Sequence, residues 1–253
     1  MSAPHDNAKS PAAVRARLTA SWVEAVSVRS GDLLEFFRYF NNTQSPQQTW
    51  MAGCWDFSYH ILKPAALLRL GPPFEKTALE IGYGSGRLLH AACRYFQQAI
   101  GVDIHGNQAL VRSLLREQGV SNFELHQTDG LSFPLAAESI DFVYSFIVLQ
   151  HLATLEALAQ NLAEVRRVLK PGGVGVLYFG YLSALRGWRR GYLDLLAQPK
   201  LPTQELTLRL TMRTAKRLLA TAGLRVIEMR RSHKTPWSTK YGVQFYAVLQ
   251  PIT

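Results

Sequence analysis

The stretch ALEIGYGSGRLL, residues 78–89, carries the strongest structural signal in the sequence. An apolar run gives way to three alternating glycines, and helical character resumes directly after them, which predicts a strand, a tight turn and a helix start. Glycines allow the backbone to approach a ligand closely, and the free N–H groups of a helix N-terminus attract polar ligand groups. The stretch therefore predicts a nucleotide-like ligand at residues 82–86.

The spacing of the glycines separates the candidate ligands. The dinucleotide fingerprint is G-x-G-x-x-G, whereas the third glycine here comes one residue earlier and Glu80 stands two positions before the first. This Glu-x-Gly-x-Gly-x-Gly string resembles motif I of the class I S-adenosylmethionine-dependent methyltransferases. In that family the turn passes under the amino-acid part of S-adenosylmethionine. An ordinary glycine-rich turn is the alternative.

Two acidic positions follow the next two predicted strands. Asp103 comes 19 residues after Gly84, close to the separation of about 20 at which a carboxylate accepts hydrogen bonds from ribose hydroxyls. Residues 128–130, Thr-Asp-Gly, resemble the family's acidic-small pair that meets the adenine ring, although Asp-Gly alone more commonly marks a turn. These positions favour a nucleoside ligand.

Further landmarks of the family follow in order at residues 141–145, 148–152 and 170–173. The resemblance covers residues 77–180, and extends over 211–250 by pattern only. It implies S-adenosylmethionine as cofactor. No metal site is predicted, since Cys54 and Cys93 lie far apart without a C-x-x-C partner. The residues that it implies for cofactor binding are Glu80, Gly82, Tyr83, Gly84, Gly86, Asp103, Ile104, Asp129, Gly130, Ser145 and Phe146.

Strands and helices alternate from residue 77 onwards, which predicts parallel strands joined by right-handed crossovers with helices on both faces. The last two predicted strands are joined by a short loop and should pair antiparallel. We expect an α/β fold of the Rossmann-like class I methyltransferase type, with a seven-stranded, mostly parallel sheet ending in a C-terminal antiparallel hairpin. The strands are predicted at 77–81, 99–103, 123–127, 140–146, 173–179, 224–230 and 241–249.

Helical spacing over 14–28 and 32–40, followed by an aromatic segment, predicts a helical extension in front of the sheet. We expect residues 1–70 to form a lid over the acceptor pocket. Residues 71–253 should form the S-adenosylmethionine-binding domain, with an insertion at about 181–210. The resemblance does not cover the extension or the insertion, and in the family such regions build the acceptor pocket.

The reaction that the resemblance implies is an in-line displacement at a sulfonium methyl group, in which the protein mainly aligns the reactants. A general base is needed only for a hydroxyl or protonated amine acceptor. His151 is the first candidate base, since it follows the fourth strand where the pocket opens, and Gln150 could orient the acceptor. His60 is a second candidate base. Packing within the core is the alternative for both histidines.

The chain has 28 Lys and Arg against 18 Asp and Glu, a formal net charge of +10, which favours anionic partners without choosing among them. Two basic clusters, at 186–190 and 230–234, could grip a phosphate or carboxylate or form a solvated face. No run approaches the roughly 18 to 20 apolar residues of a membrane span. The first residues lack the order of a signal peptide, so we expect a cytoplasmic location.

We therefore expect a methyltransferase that moves the methyl group of S-adenosylmethionine to an O or N atom of a small-molecule acceptor. Anionic small molecules are among the candidate acceptors. Methylation of RNA or protein through the basic surface is the first alternative, so a nucleic-acid partner is allowed but not favoured. An NAD-linked oxidoreductase and a non-catalytic S-adenosylmethionine-binding subunit are the others. The sequence does not indicate an oligomeric state.

Overall fold

The computed structural model describes residues 10–41, 43, 45–183, 190–197, 207–232 and 244–252. Its central feature is a seven-stranded sheet, and a pair of two-residue strands lies beside it. The strands are β1 Thr77–Ile81, β2 Gln98–Asp103, β3 Phe123–Gln127, β4 Ile140–Ser145, β5 Leu169–Gly180, β6 Tyr192–Leu193, β7 Arg209–Leu210, β8 Leu224–Arg231 and β9 Gln244–Pro251.

The large sheet has the order β3-β2-β1-β4-β5-β9-β8. Strands β1 to β5 are mutually parallel, whereas β9 runs antiparallel to both of its neighbours, β5 and β8. The predicted fold, including the C-terminal antiparallel pair, is confirmed. Because β1 to β4 run parallel, their carboxyl ends meet at one edge of the sheet, where open α/β sheets bind ligands.

Eight α-helices are described: α1 Pro11–Arg29, α2 Leu33–Asn41, α3 Pro46–Asp56, α4 Pro64–Leu70, α5 Arg87–Ala92, α6 Gln108–Glu117, α7 Leu155–Val168 and α8 Met212–Thr221. Hydroxyl side chains cap several of them: Ser10, Ser45, Thr154 and Thr211 accept from a backbone N–H three residues on, which satisfies donors left open at a helix start. A π-helical turn, Phe57–Ile61, prolongs α3.

The sheet is covered on both faces. Helices α2 to α6 contribute to one apolar cluster with β1 to β5 and β9, in which Phe36 and Phe37 of α2 are fully buried. Helices α7 and α8 contribute to a second cluster, through Leu162 and Leu219 for example. The helices before residue 70 thus share their core with the sheet. That residues 1–70 form a lid over the acceptor pocket stays a prediction.

The predicted insertion at about residues 181–210 contains two short strands, although the sequence pattern showed no strand there. Residues 192–193 pair with 209–210, and Tyr181 bridges to Leu210. Strands of two residues are too short to show a periodicity of two, so the sequence pattern could not reveal them. Strand β5 begins at Leu169 rather than Gly173, because Leu169 pairs with Ile140 ahead of a register shift. The expected start of the last strand at residues 241–243 lies outside the described residues.

Both cysteines, Cys54 and Cys93, are free thiols. Among the helices that the structure describes, none has the length and apolar character required to traverse a bilayer. Nor do the described ranges bring three His, Cys, Asp or Glu side chains together in a way that could hold a metal ion.

Candidate active site

A cavity of about 590 Å³ opens at the carboxyl ends of β1, β2 and β4. Its volume lies within the range of about 300 to 1,000 Å³ that is usual for small-molecule sites. The turn after β1 forms its floor, and Asp103 at the end of β2 and Phe146 after β4 form its sides. Helices α1 and α2 and the segment around Arg209 complete the wall, so elements from the two regions outside the family resemblance contribute to it.

The glycine turn is held by Asp103. One oxygen of its carboxylate, Oδ2, accepts from the N–H of Gly84 at 2.8 Å, and Oδ1 accepts from the N–H of Ile104 at 2.7 Å. Gly84 has a positive φ of 52°, and a Cβ there would lie 2.8 Å from the ring of Phe40 in α2. Only glycine avoids both the backbone strain and this contact. The turn therefore fits beneath α2 because residue 84 has no side chain.

His105 completes this arrangement, and sequence reasoning missed it. Its Nδ1 accepts from the N–H of Asn107 at 3.2 Å, so the proton lies on Nε2, which donates to the carbonyl of Gly84 at 3.0 Å. The ring is buried and packs edge-on against Tyr83 with centroids 5.0 Å apart. Both the N–H and the C=O of Gly84 are thus bound to the end of β2. A histidine two residues after the acidic position was the available signal.

Glu80 lies in the cavity wall and is almost fully buried, with 3% exposed. Burial raises the pKa of its carboxyl from 4.5 to about 8; the hydrogen bond from Tyr144 and the charge of Arg87 lower the pKa, and Asp103 raises it. The Tyr144 hydroxyl donates to Oε2 of Glu80 at 3.1 Å. Burial therefore favours the protonated form of Glu80 at neutral pH.

Arg87, the first residue of α5, adds a buried cation that sequence reasoning did not assign. Its Nη1 lies 2.5 Å from Oδ2 of Asp56, at the end of α3, and both side chains are less than a tenth exposed. Arg87 lines the cavity, with its guanidinium carbon 6.0 Å from the centre of the Phe146 ring. The pair joins the helix that follows the glycine turn to the N-terminal helices.

At the opposite side of the cavity, two glutamines and a histidine form a chain of hydrogen bonds. The side-chain amide of Gln244 donates to Oε1 of Gln150, and Nε2 of Gln150 donates to Nε2 of His151 at 3.2 Å. With the Gln150 amide oriented as in the structure, its nitrogen donates, so Nε2 of His151 accepts and its proton lies on Nδ1. The indole of Trp22 in α1 packs edge-on against His151, with centroids 5.1 Å apart.

The segment before β7 is hydrogen-bonded to the backbone of Gln150. The carbonyl oxygen of Gln150 accepts from the N–H groups of Thr207 at 3.0 Å and Leu208 at 2.9 Å. A Cβ on Gly180 would collide with the carbonyl oxygen of Leu208, so this close approach requires glycine in β5. Arg209 follows directly and reaches the cavity wall. Neither Arg209 nor Gln244 was predicted, since both join the site only through tertiary packing.

Most of the predicted site residues do meet at this cavity. Three of them, Ser145, Asp129 and Gly86, do not line the cavity, and each is held by hydrogen bonds to nearby backbone. The Ser145 hydroxyl donates to the carbonyl of Ile81 at 3.2 Å, and the Asp129 carboxylate accepts from the N–H groups of Leu131 and Ser132. Gly86 closes the turn by donating to the carbonyl of Tyr83. The predicted residues on the wall are Glu80, Gly82, Tyr83, Gly84, Asp103, Ile104, Gly130, Phe146, Gln150 and His151.

His60, the second candidate base, is also placed away from the cavity wall. It lies in the π-helical turn, 1% exposed, with its ring stacked on Phe146 at 4.6 Å and its Nδ1 3.1 Å from the Tyr178 hydroxyl. Burial, with the charges of Lys63 and Arg87, lowers the pKa of His60 to about 3. Its burial and lowered pKa favour packing behind the wall, the alternative given above, over a role as base.

Several buried polar atoms on the cavity wall have no hydrogen-bond partner among the described residues. Buried polar groups in folded proteins are nearly always paired, so such a group of exceptions at one cavity fits a wall that binds a polar ligand. The atoms are Nε1 of Trp22, the hydroxyls of Tyr39 and Tyr83, Nε of Arg209 and Oε1 of Gln244.

The basic clusters do not contribute to this cavity as far as the structure describes them. Arg230 pairs with Glu228 at 3.2 Å, and the guanidinium of Arg231 lies over the ring of Tyr181 at 4.5 Å. Arg190 is exposed. The rest of both clusters, residues 186–189 and 233–234, lies outside the described residues.

Residues 79–177 match the family described as a methyltransferase domain. A tRNA (carboxymethyluridine(34)-5-O)-methyltransferase, ALKBH8 of Macaca fascicularis, is 31% identical over 106 residues, 42% of this chain. The match spans only 15% of that relative's own length.

Two solved structures share the fold. A SAM-dependent methyltransferase from Methanosarcina mazei has a TM-score of 0.59 at 20% identity and covers 76% of this chain and 98% of its own. One from Aquifex aeolicus has a TM-score of 0.55 at 16% identity, covering 82% and 98%. These likenesses show the fold, and the family match is to a methyltransferase domain rather than to an oxidoreductase.

Proposed function

We propose that the chain is a class I S-adenosylmethionine-dependent methyltransferase, as the match of residues 79–177 to a methyltransferase domain and the shared fold support, and that it methylates an O or N atom of a small, polar and anionic acceptor. One observation carries the proposal: beyond the glycine turn the cavity has a second wall, formed by Trp22, Tyr39, Gln150, His151, Arg209 and Gln244, in which polar atoms of Trp22, Tyr39, Arg209 and Gln244 have no hydrogen-bond partner among the described residues. Helices α1 and α2 form much of that wall and serve as the lid.

The residues at the cavity floor fit S-adenosylmethionine. Asp103 accepts from the N–H groups of Gly84, Ile104 and His105, and a carboxylate offers about four acceptor positions, so capacity remains for a ribose hydroxyl. The glycine turn and Glu80 form the part of the floor nearest α5, suited to the amino-acid portion. When bound, S-adenosylmethionine supplies a methyl group already activated by its sulfonium charge.

The protein's own contribution is alignment and exclusion of water, which can supply much of the acceleration of such a displacement. Trp22 and Tyr39 line the second wall with aromatic side chains, and the buried polar atom of each has no hydrogen-bond partner among the described residues. Gln150 and His151, fixed by the bonds to Gln244 and to the segment before β7, orient the acceptor.

The proposal is tested by transfer of label from [methyl-³H]S-adenosylmethionine. The purified protein is incubated with a filtered small-molecule extract and, separately, with total tRNA. Label in the small-molecule fraction supports the proposal. Label in tRNA alone contradicts it.

Methylation of RNA is the second candidate, favoured by the match to ALKBH8 and by the net charge of +10. The dependence of binding affinity on salt concentration distinguishes the two functions. Phosphate contacts release counterions, so affinity for RNA should fall steeply with added salt, whereas an acceptor held within the cavity should respond much less. Binding of tRNA is to be measured in the presence of S-adenosylhomocysteine at low and physiological salt.

A further inference from the structure

We propose that the methylated atom is an ionised carboxylate oxygen of the acceptor, so that the product is a methyl ester. The inference rests on the proposed small-molecule function and names its substrate class. It comes from two properties of the cavity wall: its candidate bases either lie at the cofactor floor or have their basic atom hydrogen-bonded, and an arginine without a carboxylate partner among the described residues stands beside them.

The first property concerns the groups that could remove a proton. A hydroxyl or ammonium acceptor must lose a proton to a base within hydrogen-bond reach. Among the described residues of the wall, Asp103 accepts from three backbone N–H groups at the floor, and Glu80 is buried and bound to the Tyr144 hydroxyl. His105 donates to Gly84 through one nitrogen and accepts from Asn107 through the other.

His151 is the remaining candidate, and its geometry is that of a donor. Its Nε2 lone pair accepts from Gln150, and Gln150 is itself held through its Oε1 by Gln244. The carbonyl of Gln150 is fixed by the backbone of Thr207 and Leu208. This chain selects the tautomer with the proton on Nδ1. The structure thus changes the expected role of His151 from general base to hydrogen-bond donor.

The second property is the charge of the wall. Arg209 lines the cavity and is adjacent to the segment bound to Gln150, and its guanidinium has no carboxylate partner in the described part of the chain. Arg87, the other arginine of the wall, is neutralised by Asp56. A guanidinium binds a carboxylate by strong, charge-assisted hydrogen bonds. The indole N–H of Trp22 adds a donor.

A carboxylate acceptor needs no base, because it is ionised at neutral pH. One carboxylate oxygen forms the new bond to the methyl carbon with its own lone pair, and the carbon–sulfur bond breaks with its electron pair going to sulfur. The negative charge of the carboxylate and the positive charge of the sulfonium cancel in the products. No proton is transferred. The Oε1 atom of Gln244 then accepts from a donor elsewhere on the acceptor.

The test examines the product. Label is transferred from [methyl-³H]S-adenosylmethionine into the small-molecule extract, with one half of the extract first treated with a carbodiimide and methylamine to convert carboxylates to amides. We expect the treatment to abolish acceptor activity, and mild alkali to release the label from the product as volatile methanol. Acceptor activity that survives the treatment, or label that resists alkali, overturns the inference. Absence of label from every small molecule refutes the proposed function instead.

Variants test the two residues separately. Arg209→Gln should raise KM for the acceptor about ten- to hundredfold, the usual worth of a hydrogen bond to a charged group. Arg225→Gln, at an exposed position of β8, is the matched control and should leave KM unchanged.

His151→Asn keeps a hydrogen-bond donor but has no base, and should retain activity within about tenfold. A loss of about a hundredfold or more in His151→Asn would show general base catalysis and overturn the inference.

Discussion

Replacing Glu80 with glutamine should stabilise the ligand-free protein at alkaline pH and change its stability little at about pH 5. Glu80 is buried beside Tyr144, and burial raises its pKa from 4.5 to about 8. Between these two values the folded protein binds a proton that the unfolded chain releases. Stability must therefore fall as pH rises from about 4.5 to about 8, and stay low above that range.

The size of the effect follows from the two pKa values. Each pKa unit corresponds to about 1.4 kcal/mol, so raising the pKa from 4.5 to about 8 costs the ionised carboxylate about 5 kcal/mol relative to the protonated form. Glutamine resembles the protonated form and does not ionise. The difference in the free energy of unfolding between Glu80→Gln and the parent should therefore grow by about 3 to 5 kcal/mol between pH 5 and pH 9.

Urea unfolding of both proteins at about pH 5, 7 and 9 measures this difference, with Glu75→Gln at an exposed position as the control. A difference that does not change with pH would show that Glu80 titrates as it would in water, and would refute the argument from burial. The same pKa predicts a coupling to the ligand. S-adenosylmethionine is cationic and favours ionised Glu80, so its affinity should increase from about pH 6 to pH 8 in the parent and stay level in Glu80→Gln.

Three further substitutions test the contacts around the cavity. Asp103→Ala removes the acceptor of the Gly84 and Ile104 N–H groups; it should lower the free energy of unfolding by about 2 to 4 kcal/mol and weaken S-adenosylhomocysteine binding at least about a hundredfold in calorimetry. Asn41→Ala removes the bond to the Ser85 hydroxyl at 2.8 Å and should cost about 1 kcal/mol and speed S-adenosylhomocysteine release in stopped-flow experiments; an unchanged rate would contradict a lid role. Asp56→Asn removes the carboxylate charge that faces the buried Arg87 and should cost about 3 to 5 kcal/mol in urea unfolding, part of which Arg87→Met in the same chain should restore.

The part of the site that the sequence predicted is the part built from short stretches. Gly82 and Gly84 lie between a strand and a helix that both show their own periodicity, and Asp103 ends the neighbouring strand. In a parallel sheet, neighbouring carboxyl ends necessarily meet. The contact between the turn and Asp103 therefore followed from the order of elements alone.

The second wall could not be predicted in this way. Gln244 meets Gln150 across 94 residues, and the N–H groups of Thr207 and Leu208 reach the Gln150 carbonyl from a segment without regular periodicity. Arg87 was recognised only as a helix start, because its partner Asp56 precedes it by 31 residues on another helix. Such pairs depend on how α3, β7 and β9 pack, and nothing local in the sequence records that packing.

The contacts of α2 connect the two halves of the cavity. Phe40 occupies the space over Gly84 that a side chain would need, and Asn41 donates to Ser85 in the same turn. In the same helix, Tyr39 packs edge-on against Trp22, which in turn packs against His151. One short helix thus touches both the proposed cofactor floor and the proposed acceptor wall. A ligand that fixes the glycine turn must also favour one position of α2, so filling the floor should organise the acceptor wall before the acceptor arrives.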